Sequence, residues 1–287
     1  MMSADYEGPL LRDLPIMFLR GCGIVFALAV ALAPFIVLFV NSVRPAGEFL
    51  SDTAGFIPAD PTLDHFRTVF DPSADTLQFL VNSLVITTAT TILAVLSGTL
   101  AAYSLARLRL PFRLSTIIAL AFLAVRFYPK IAIALPYFIL MRNMHLLETR
   151  TAIIIAHVSL TVPFVVWLML AFFEDFPREI EQSAMLDGCG PMRRFISVVL
   201  PLTTPVLVTA AILTAFLSWN EFLMASAVGP MNAKTLPVRI AGFITDKGTQ
   251  WGDMSAMGTV IVAPVMLFAL LTQRYLVRGL TVGAVKG

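Results

Sequence analysis

Six apolar runs separated by polar segments dominate the sequence. Each run has about the 20 residues that an α-helix needs to cross the hydrocarbon core of a bilayer. They predict transmembrane helices at residues 17–40, 79–105, 114–141, 151–173, 202–228 and 255–277. A polar arm (1–16) precedes this transmembrane domain (17–277), and a tail (278–287) follows it. The pattern therefore predicts an all-α integral membrane protein with six transmembrane helices.

The composition agrees with a membrane protein. Hydrophobic residues make up 58% of the chain and charged residues only 13%, whereas soluble domains average about 25% charged residues. The formal net charge of +2 gives no reason to expect a nucleic-acid partner. Cys22 and Cys189 are expected to be free thiols. His65, His145 and His157 have no second ligand at metal-binding spacing in the sequence, so we expect no metal site.

The distribution of Lys and Arg predicts the orientation of the chain. The first apolar run is longer than the core of a cleavable signal, so we expect it to be a retained span. With six spans both termini lie on one side, and placing that side in the cytoplasm puts most loop arginines inside. The polar segment 174–201 then faces the cytoplasm, and the long loops 41–77 and 229–254 face outward.

The segment 174–201 has the most distinctive local pattern. Pro177 suits the first position of a helix, because its missing N–H has no intrahelical partner there. Ala184 and Met185 lie on the apolar face of that helix, and Gly188 follows where a left-handed residue commonly ends a helix. A second short helix is predicted to begin at Pro191. The segment is therefore a helix, a sharp glycine turn and another helix.

This segment resembles the cytoplasmic coupling loop, known as the EAA motif, of the permease subunits of importer-type ABC transporters. The positions that match the motif in register are Glu181, Ala184, Asp187, Gly188, Phe195, Leu200 and Pro201. Gln182 and Ser183 depart from it, so one carboxylate is missing. Three other stretches resemble the maltose-type branch, whose members take up sugars: Asn82-Ser83, Trp219-Asn220-Glu221 and the C-terminal residues from Gly279 to Gly287.

The resemblance implies the type I ABC importer fold and alternating access driven by a separate ATPase. The coupling helix would consist of Glu181, Gln182, Ser183, Ala184, Met185, Leu186, Asp187 and Gly188. Glu181 would pair with a basic residue of the ATPase. The tail residues that would reach the ATPase dimer are Gly279, Gly283, Lys286 and Gly287.

The resemblance also implies the partners and the location of the chain. They are a second related permease, two ATPase subunits and an extracytoplasmic solute-binding protein, assembled in a bacterial cytoplasmic (inner) membrane. The sequence contains no Gly-x-x-x-x-Gly-Lys-Ser/Thr phosphate loop. We therefore expect no enzymatic activity and no cofactor in this chain, with ATP and Mg²⁺ bound by the partner ATPase.

Two cations inside the third span are not explained by the resemblance. Arg126 and Lys130 are four residues apart and would share one face of a helix, although Pro129 is expected to break that helix. An intramembrane charge costs at least about 2.5–3.5 kcal/mol on insertion scales, so each needs a partner, water or a cavity. Either they reach the outer interface, or pair with an acid such as Glu221 or with a partner subunit, or they line the pathway and favour an anionic solute.

Asn220 and Glu221, in the outer half of the fifth span, have the same two interpretations: hydrogen bonds between helices, or the lining of the pathway. The function we expect is that of a membrane subunit of an ABC importer for a sugar or an anionic sugar derivative. Two alternatives stay open, a secondary transporter and an ABC importer of a non-sugar solute such as a glycerol phosphate. A membrane-embedded enzyme is disfavoured, because the spans carry no evident cluster of nucleophile and base.

Overall fold

The computed structural model describes residues 10–51, 55–108, 111–246 and 248–281, and this part of the chain is mostly helical. The helices are α1 (Leu10–Ser42), α2 (Asp64–Val69), α3 (Thr76–Arg107), α4 (Leu114–Phe127), α5 (Lys130–Asn143), α6 (Arg150–Asp175), α7 (Arg178–Leu186), α8 (Pro191–Arg194), α9 (Leu200–Leu202), α10 (Thr204–Trp219), α11 (Leu223–Val228), α12 (Leu236–Ile240) and α13 (Trp251–Thr281). Short 3-10 segments lie at Ala46–Leu50, Pro72–Ala74, Pro111–Arg113 and Ala241–Phe243, and a π-helical turn lies at Phe195–Val199. The strands β1 (Ile244–Thr245) and β2 (Gly248–Thr249) pair in a two-stranded sheet.

Within the described residues, four helices are long and apolar enough to cross a membrane: α1, α3, α6 and α13. They correspond to the predicted first, second, fourth and sixth spans. Two bent pairs of helices raise the number to six if each pair crosses as one broken span. These pairs are α4 with α5, and the segment Pro191–Leu202 with α10, so the helical structure agrees with six spans.

The third and fifth predicted spans are broken in the structure. The two halves of the third span, α4 and α5, meet at 97° at Tyr128 and Pro129, because proline lacks an N–H and disfavours helical geometry in the residue before it. The fifth predicted span, 202–228, is not one continuous helix in the structure. α10 is bent by 77° from the preceding segment and ends at Trp219. The chain then forms a new helix, α11, whose first turn is capped by the Glu221 side chain.

The described chain divides into two compact units. One contains the residues through Val69 together with Asp246–Val260, and the other contains Phe70–Thr245 and the residues from Ile261 onward. In the second unit, α3 and α6 make the most extensive contact between two helices. Their interface and the neighbouring α10 share one buried apolar cluster that includes Val165, Phe173 and Ala210.

Gly98 sets the closest approach between α3 and α6. A Cβ atom at this position would lie 2.7 Å from both Cβ and Cγ1 of Val165, well inside van der Waals contact. Small residues allow this kind of close packing between transmembrane helices, because association in lipid depends on packing more than on hydrophobic burial. Gly98 therefore marks the point where α3 packs closely on α6.

Replacing Gly98 with alanine is expected to force α3 and α6 apart and to lower the free energy of unfolding by about 1–3 kcal/mol, as overpacking does in other well-packed cores. Thermal unfolding of the purified protein in detergent measures this change. Gly23→Ala is the matched control, because Gly23 is also helical and has open space around its Cα hydrogen. Equal unfolding midpoints for the two variants would contradict the packing assignment.

The first unit contains an ordered polar network in the segment that follows α1. The Arg44 guanidinium donates to the carbonyls of Gly55 and Phe56 at 2.8 and 2.9 Å. The His65 ring lies between Asp253 Oδ1 at 2.6 Å and the Arg44 carbonyl at 2.9 Å. Both ring nitrogens of His65 lie within hydrogen-bond distance of an oxygen atom. These contacts join the segment after α1 to α2 and to the start of α13.

Candidate functional site

The predicted helix, glycine turn and second helix of the polar segment are present as α7, the turn around Gly188 and α8. Gly188 has a φ of +79°, and its N–H donates to the Met185 carbonyl at 3.1 Å. The Cys189 N–H donates to the Ala184 carbonyl at 3.0 Å. This pair of hydrogen bonds is the Schellman arrangement that ends a helix at a left-handed glycine. The turn therefore fixes the direction in which the chain leaves α7.

Glu181 lies on the buried face of α7 and holds it against the rest of the second unit. One carboxylate oxygen accepts a hydrogen bond from Arg107 Nε at 2.6 Å, and the other accepts one from the Tyr103 hydroxyl at 2.8 Å. Arg194 Nε lies 3.5 Å from Glu181 Oε2, an electrostatic contact without good hydrogen-bond alignment. Arg107 also donates to the carbonyl of Phe176 at 3.2 Å. We call Glu181, Arg107, Tyr103 and Arg194 the Glu181 clamp.

The clamp changes the interpretation of Glu181. We expected its side chain to face a basic residue of an ATPase, but the side chain is only 6% exposed and is already paired with arginines of its own chain. Helix periodicity explains the difference, because position 181 shares the inner face of α7 with the buried Ala184. Of the residues predicted to form the coupling helix, Gln182, Ser183, Met185, Leu186, Asp187 and Gly188 are exposed, and their coupling role stays a prediction.

The exposed side of α7 carries a small apolar patch. Leu186 is 90% exposed and Met185 is 57% exposed. These adjacent apolar side chains lie at the end of a mostly polar helix, and a role in docking on another protein stays a prediction. We call these two side chains the α7 patch.

The predicted contacts of the C-terminal tail fall mostly outside the described residues. Gly283, Lys286 and Gly287 lie outside them, and Gly279 belongs to the last turns of α13. The role of these four residues stays a prediction.

The predicted pathway residues lie together on one cavity. Arg126, Lys130, Asn220 and Glu221 all line a cavity of about 620 Å³ in the second unit. Its remaining lining residues are apolar: Phe164, Leu213, Phe216, Leu217, Phe222 and Leu223. A second cavity, of about 200 Å³, shares Arg126, Lys130, Phe164, Leu217 and Glu221 and adds His157 and Ser218. The volume of the larger cavity and its mostly apolar lining with a few polar groups are typical of small-molecule sites.

Glu221 is the centre of the polar contacts in this cavity. Its carboxylate accepts hydrogen bonds from the N–H groups of Met224 at 2.9 Å and Ala225 at 3.2 Å, which caps the start of α11. Lys130 Nζ lies 3.9 Å from the other carboxylate oxygen, so the expected pairing of Lys130 with Glu221 is present. His157 Nε2 lies 3.3 Å from Glu221 Oε2, without the alignment of a hydrogen bond.

Arg126 and Lys130 do not share a continuous helical face. Arg126 lies in the last turn of α4, and Lys130 is the first residue of α5 on the other side of the 97° bend. The bend, and not the four-residue spacing, brings both side chains to the cavity. The Arg126 guanidinium lies 4.8 Å from the centre of the Phe164 ring, and no carboxylate among the described residues forms an ion pair with it.

Sequence reasoning missed His157 and Ser218 as parts of the site. His157 is 1% exposed, and its Nδ1 lies 2.9 Å from Ser218 Oγ. The sequence places His157 in the fourth span and Glu221 at the fifth, so nothing in the local pattern connects them. The sequence offered one indication. A polar ring such as that of His157 is costly to bury in an apolar span, so a residue of another helix has to pair with it. Among the described residues, no group of three or more His, Cys, Asp or Glu side chains is suited to hold a metal ion.

The four to six helices that are long and apolar enough to cross a membrane indicate a multi-pass membrane protein, and a mostly apolar cavity with four polar side chains lies beside its broken helices. The family described as the binding-protein-dependent transport system inner membrane component matches residues 70–282, and the chain belongs to this family. It is therefore a transport subunit of the inner membrane and not an enzyme.

Three known proteins illustrate the similarity. The trehalose transport system permease protein SugB of Mycobacterium tuberculosis is 35% identical over 260 residues, covering 90% of this chain and 93% of SugB. The sulfoquinovosyl glycerol transport system permease protein SmoH of Agrobacterium fabrum is 34% identical over 257 residues, covering 89% of each chain. A solved structure of a bacterial ABC transporter involved in the import of the acidic polysaccharide alginate matches with a TM-score of 0.72 at 20% identity, covering 92% of this chain and 98% of that chain. The predicted fold class, an all-α permease of the ABC importer type, is confirmed.

Proposed function

We propose that this chain is one of the membrane subunits of an ATP-driven ABC importer and forms half of the translocation pathway for a sugar or sugar derivative. The observation that carries the proposal is the family match over residues 70–282. The relatives named for trehalose and for sulfoquinovosyl glycerol align over about nine tenths of the chain, which supports a carbohydrate solute. Membership of a binding-protein-dependent family speaks against a secondary transporter, and these carbohydrate-named relatives speak against a glycerol phosphate.

In this proposal α7 is the lever between a partner ATPase and the membrane helices. The α7 patch docks on the ATPase, and the Glu181 clamp transmits the movement to α3 through Arg107 and Tyr103. A lever has to be stiff at both ends. The glycine turn fixes one end of α7, and the buried carboxylate with its arginines fixes the inner face. Closure of the ATPase dimer then switches the pathway between inward-facing and outward-facing states.

The proposed assembly contains a second related permease, two ATPase subunits that bind ATP and Mg²⁺, and an extracytoplasmic solute-binding protein. Both termini and α7 lie in the cytoplasm, whereas the segments 41–77 and 229–254 meet the binding protein. The bias of Lys and Arg toward the inner segments supports this orientation. A solved structure of the bacterial alginate transporter in complex with a periplasmic protein has the same fold at 14% identity and a TM-score of 0.64.

Charge on the α7 patch is expected to abolish coupling. The double variant Met185→Asp and Leu186→Asp replaces the exposed apolar pair with carboxylates, which lose the apolar contact and carry a desolvation cost on docking. We expect loss of the ATPase from the purified complex, measured by co-purification with the tagged permease. Met231→Asp is the control, because Met231 is also exposed, at 72%, but lies in the loop assigned to the other side of the membrane. Full ATPase recovery with the double variant would contradict the docking role.

The importer itself is tested by ATP hydrolysis. The permease is co-expressed with its partner permease, ATPase and binding protein, and the purified complex is reconstituted in lipid. We expect hydrolysis to increase when the solute-loaded binding protein is added. If no ATPase co-purifies and no loaded binding protein stimulates hydrolysis, the proposed function is wrong.

A further inference from the structure

Three charged side chains line the large cavity, and their charges do not sum to zero. Arg126 and Lys130 are positive, and Glu221 is negative. Glu221 is committed to partners inside the protein: two backbone N–H groups of α11, the Lys130 ammonium and the His157 ring. Its charge offsets that of Lys130. The Arg126 guanidinium keeps an uncompensated positive charge on the cavity wall, since it forms no ion pair with a carboxylate in the described part of the chain.

The start of α5 adds to the positive potential. Lys130 is the first residue of this 14-residue helix, so its ammonium group belongs to the end of the helix where the dipole is positive. A lysine at a helix N-terminus is electrostatically unfavourable, which explains why a buried carboxylate lies next to it. Arg126 has no such compensation. Its contact with the Phe164 ring orients the guanidinium but does not neutralise it.

Arg126 is exposed on the cavity wall, so its guanidinium is accessible to a solute. A neutral sugar cannot balance its charge, whereas a planar oxyanion can. The guanidinium presents a fork of N–H donors that matches a carboxylate, sulfonate or phosphate group. The rest of the cavity is apolar and contains three phenylalanine rings, from Phe164, Phe216 and Phe222. At about 620 Å³ the cavity lies within the range of sites for small organic ligands.

We propose that the cavity binds the anionic group of a charged sugar, and that Arg126 is the residue that selects it. Lys130 is held by Glu221 as a second positive group, while the phenylalanine rings contact the apolar faces of the sugar. This inference rests on the proposed function, since it names the substrate class of the importer pathway.

The test uses the complete complex in proteoliposomes with its binding protein. The probes are a uronic-acid disaccharide, sulfoquinovosyl glycerol and the neutral sugar trehalose. We first measure which probes the binding protein binds and then the uptake of each. We expect uptake of an anionic probe by the wild type, and a fall in kcat/KM of about 10- to 100-fold in Arg126→Gln, the range for loss of a hydrogen bond to a charged group. Arg142→Gln is the matched control, because Arg142 is exposed on α5 and does not line the cavity.

A second variant covers the case in which Arg126→Gln does not assemble. Arg126→Lys keeps the charge and loses the two-point contact with a planar oxyanion, so uptake of the anionic probe is expected to fall several-fold. Unchanged uptake in either assembled variant, or transport of the neutral sugar alone, would overturn the inference and leave the importer intact. Absence of ATPase from the complex, or of any stimulation by the binding protein, would instead refute the proposed function and the inference with it.

Discussion

Replacing Glu181 with alanine is expected to lower the free energy of unfolding by about 3–5 kcal/mol, the range measured when one partner of a buried ion pair is removed. The carboxylate is 6% exposed, and the side chains of its partners Arg107 and Arg194 are 11% and 15% exposed. Without Glu181, two arginines keep their charge in a poorly solvated site. The Tyr103 hydroxyl loses its acceptor at the same time.

Thermal unfolding of the purified complex measures the loss of stability. Glu179→Ala is the control, because Glu179 is an exposed acid on the first turn of the same helix. We also expect ATP hydrolysis in Glu181→Ala to proceed without solute uptake, since α7 is no longer tied to α3. If Glu181→Ala unfolds like Glu179→Ala and retains full uptake, the clamp is neither a structural nor a mechanical element.

A double-mutant cycle separates the clamp from a contact with the ATPase. If Glu181 acts through Arg107, removing Arg107 in the Glu181→Ala background is expected to cost much less than removing it from the wild type. Additive losses would mean that Glu181 does not act through Arg107, and the same cycle with Tyr103 and Arg194 then separates these partners within the chain from a partner outside it.

The second large loss of stability is expected on substitution of Glu221. Glu221→Ala removes the cap of α11 and leaves the Lys130 ammonium and the polar ring of His157 without a carboxylate. Because the side chain is 4% exposed, we expect a loss of about 3 kcal/mol or more in the free energy of unfolding. Thermal unfolding measures it, with Glu174→Ala on the exposed surface of α6 as the control.

Glu221→Gln separates the loss of the α11 cap from the loss of the negative charge. The amide oxygen still accepts from the N–H groups at the start of α11, so the cap is retained, but the charge that offsets Lys130 is lost. We therefore expect a smaller loss of stability than in Glu221→Ala and a cavity with greater positive charge. Equal losses in the two variants would show that the charge, and not the cap, dominates the role of Glu221.

The sequence by itself determined the helices that cross the membrane and the class of the protein. Apolar runs of sufficient length have one stable form in lipid, since every backbone polar group must be paired within the segment. The helix, glycine turn and helix of the polar segment are equally local, because Gly188 and the two prolines, Pro177 and Pro191, act on the backbone around them. Arg126 and Lys130 also stood out from sequence alone, because a charge in an apolar run always requires an explanation.

Only the tertiary structure decided what these residues contact. Glu181 pairs with Arg107 across 74 positions of the chain, and His157 meets Ser218 across 61 positions, so no local pattern encodes either contact. The break after Trp219 was missed for the same reason, because it depends on the Glu221 side chain capping a new helix. Arg126 and Lys130 reach one cavity through a bend of 97°, whose direction is set by packing against α6 and α11. Periodicity fixes which residues share a helical face, whereas the packing of helices fixes what that face meets.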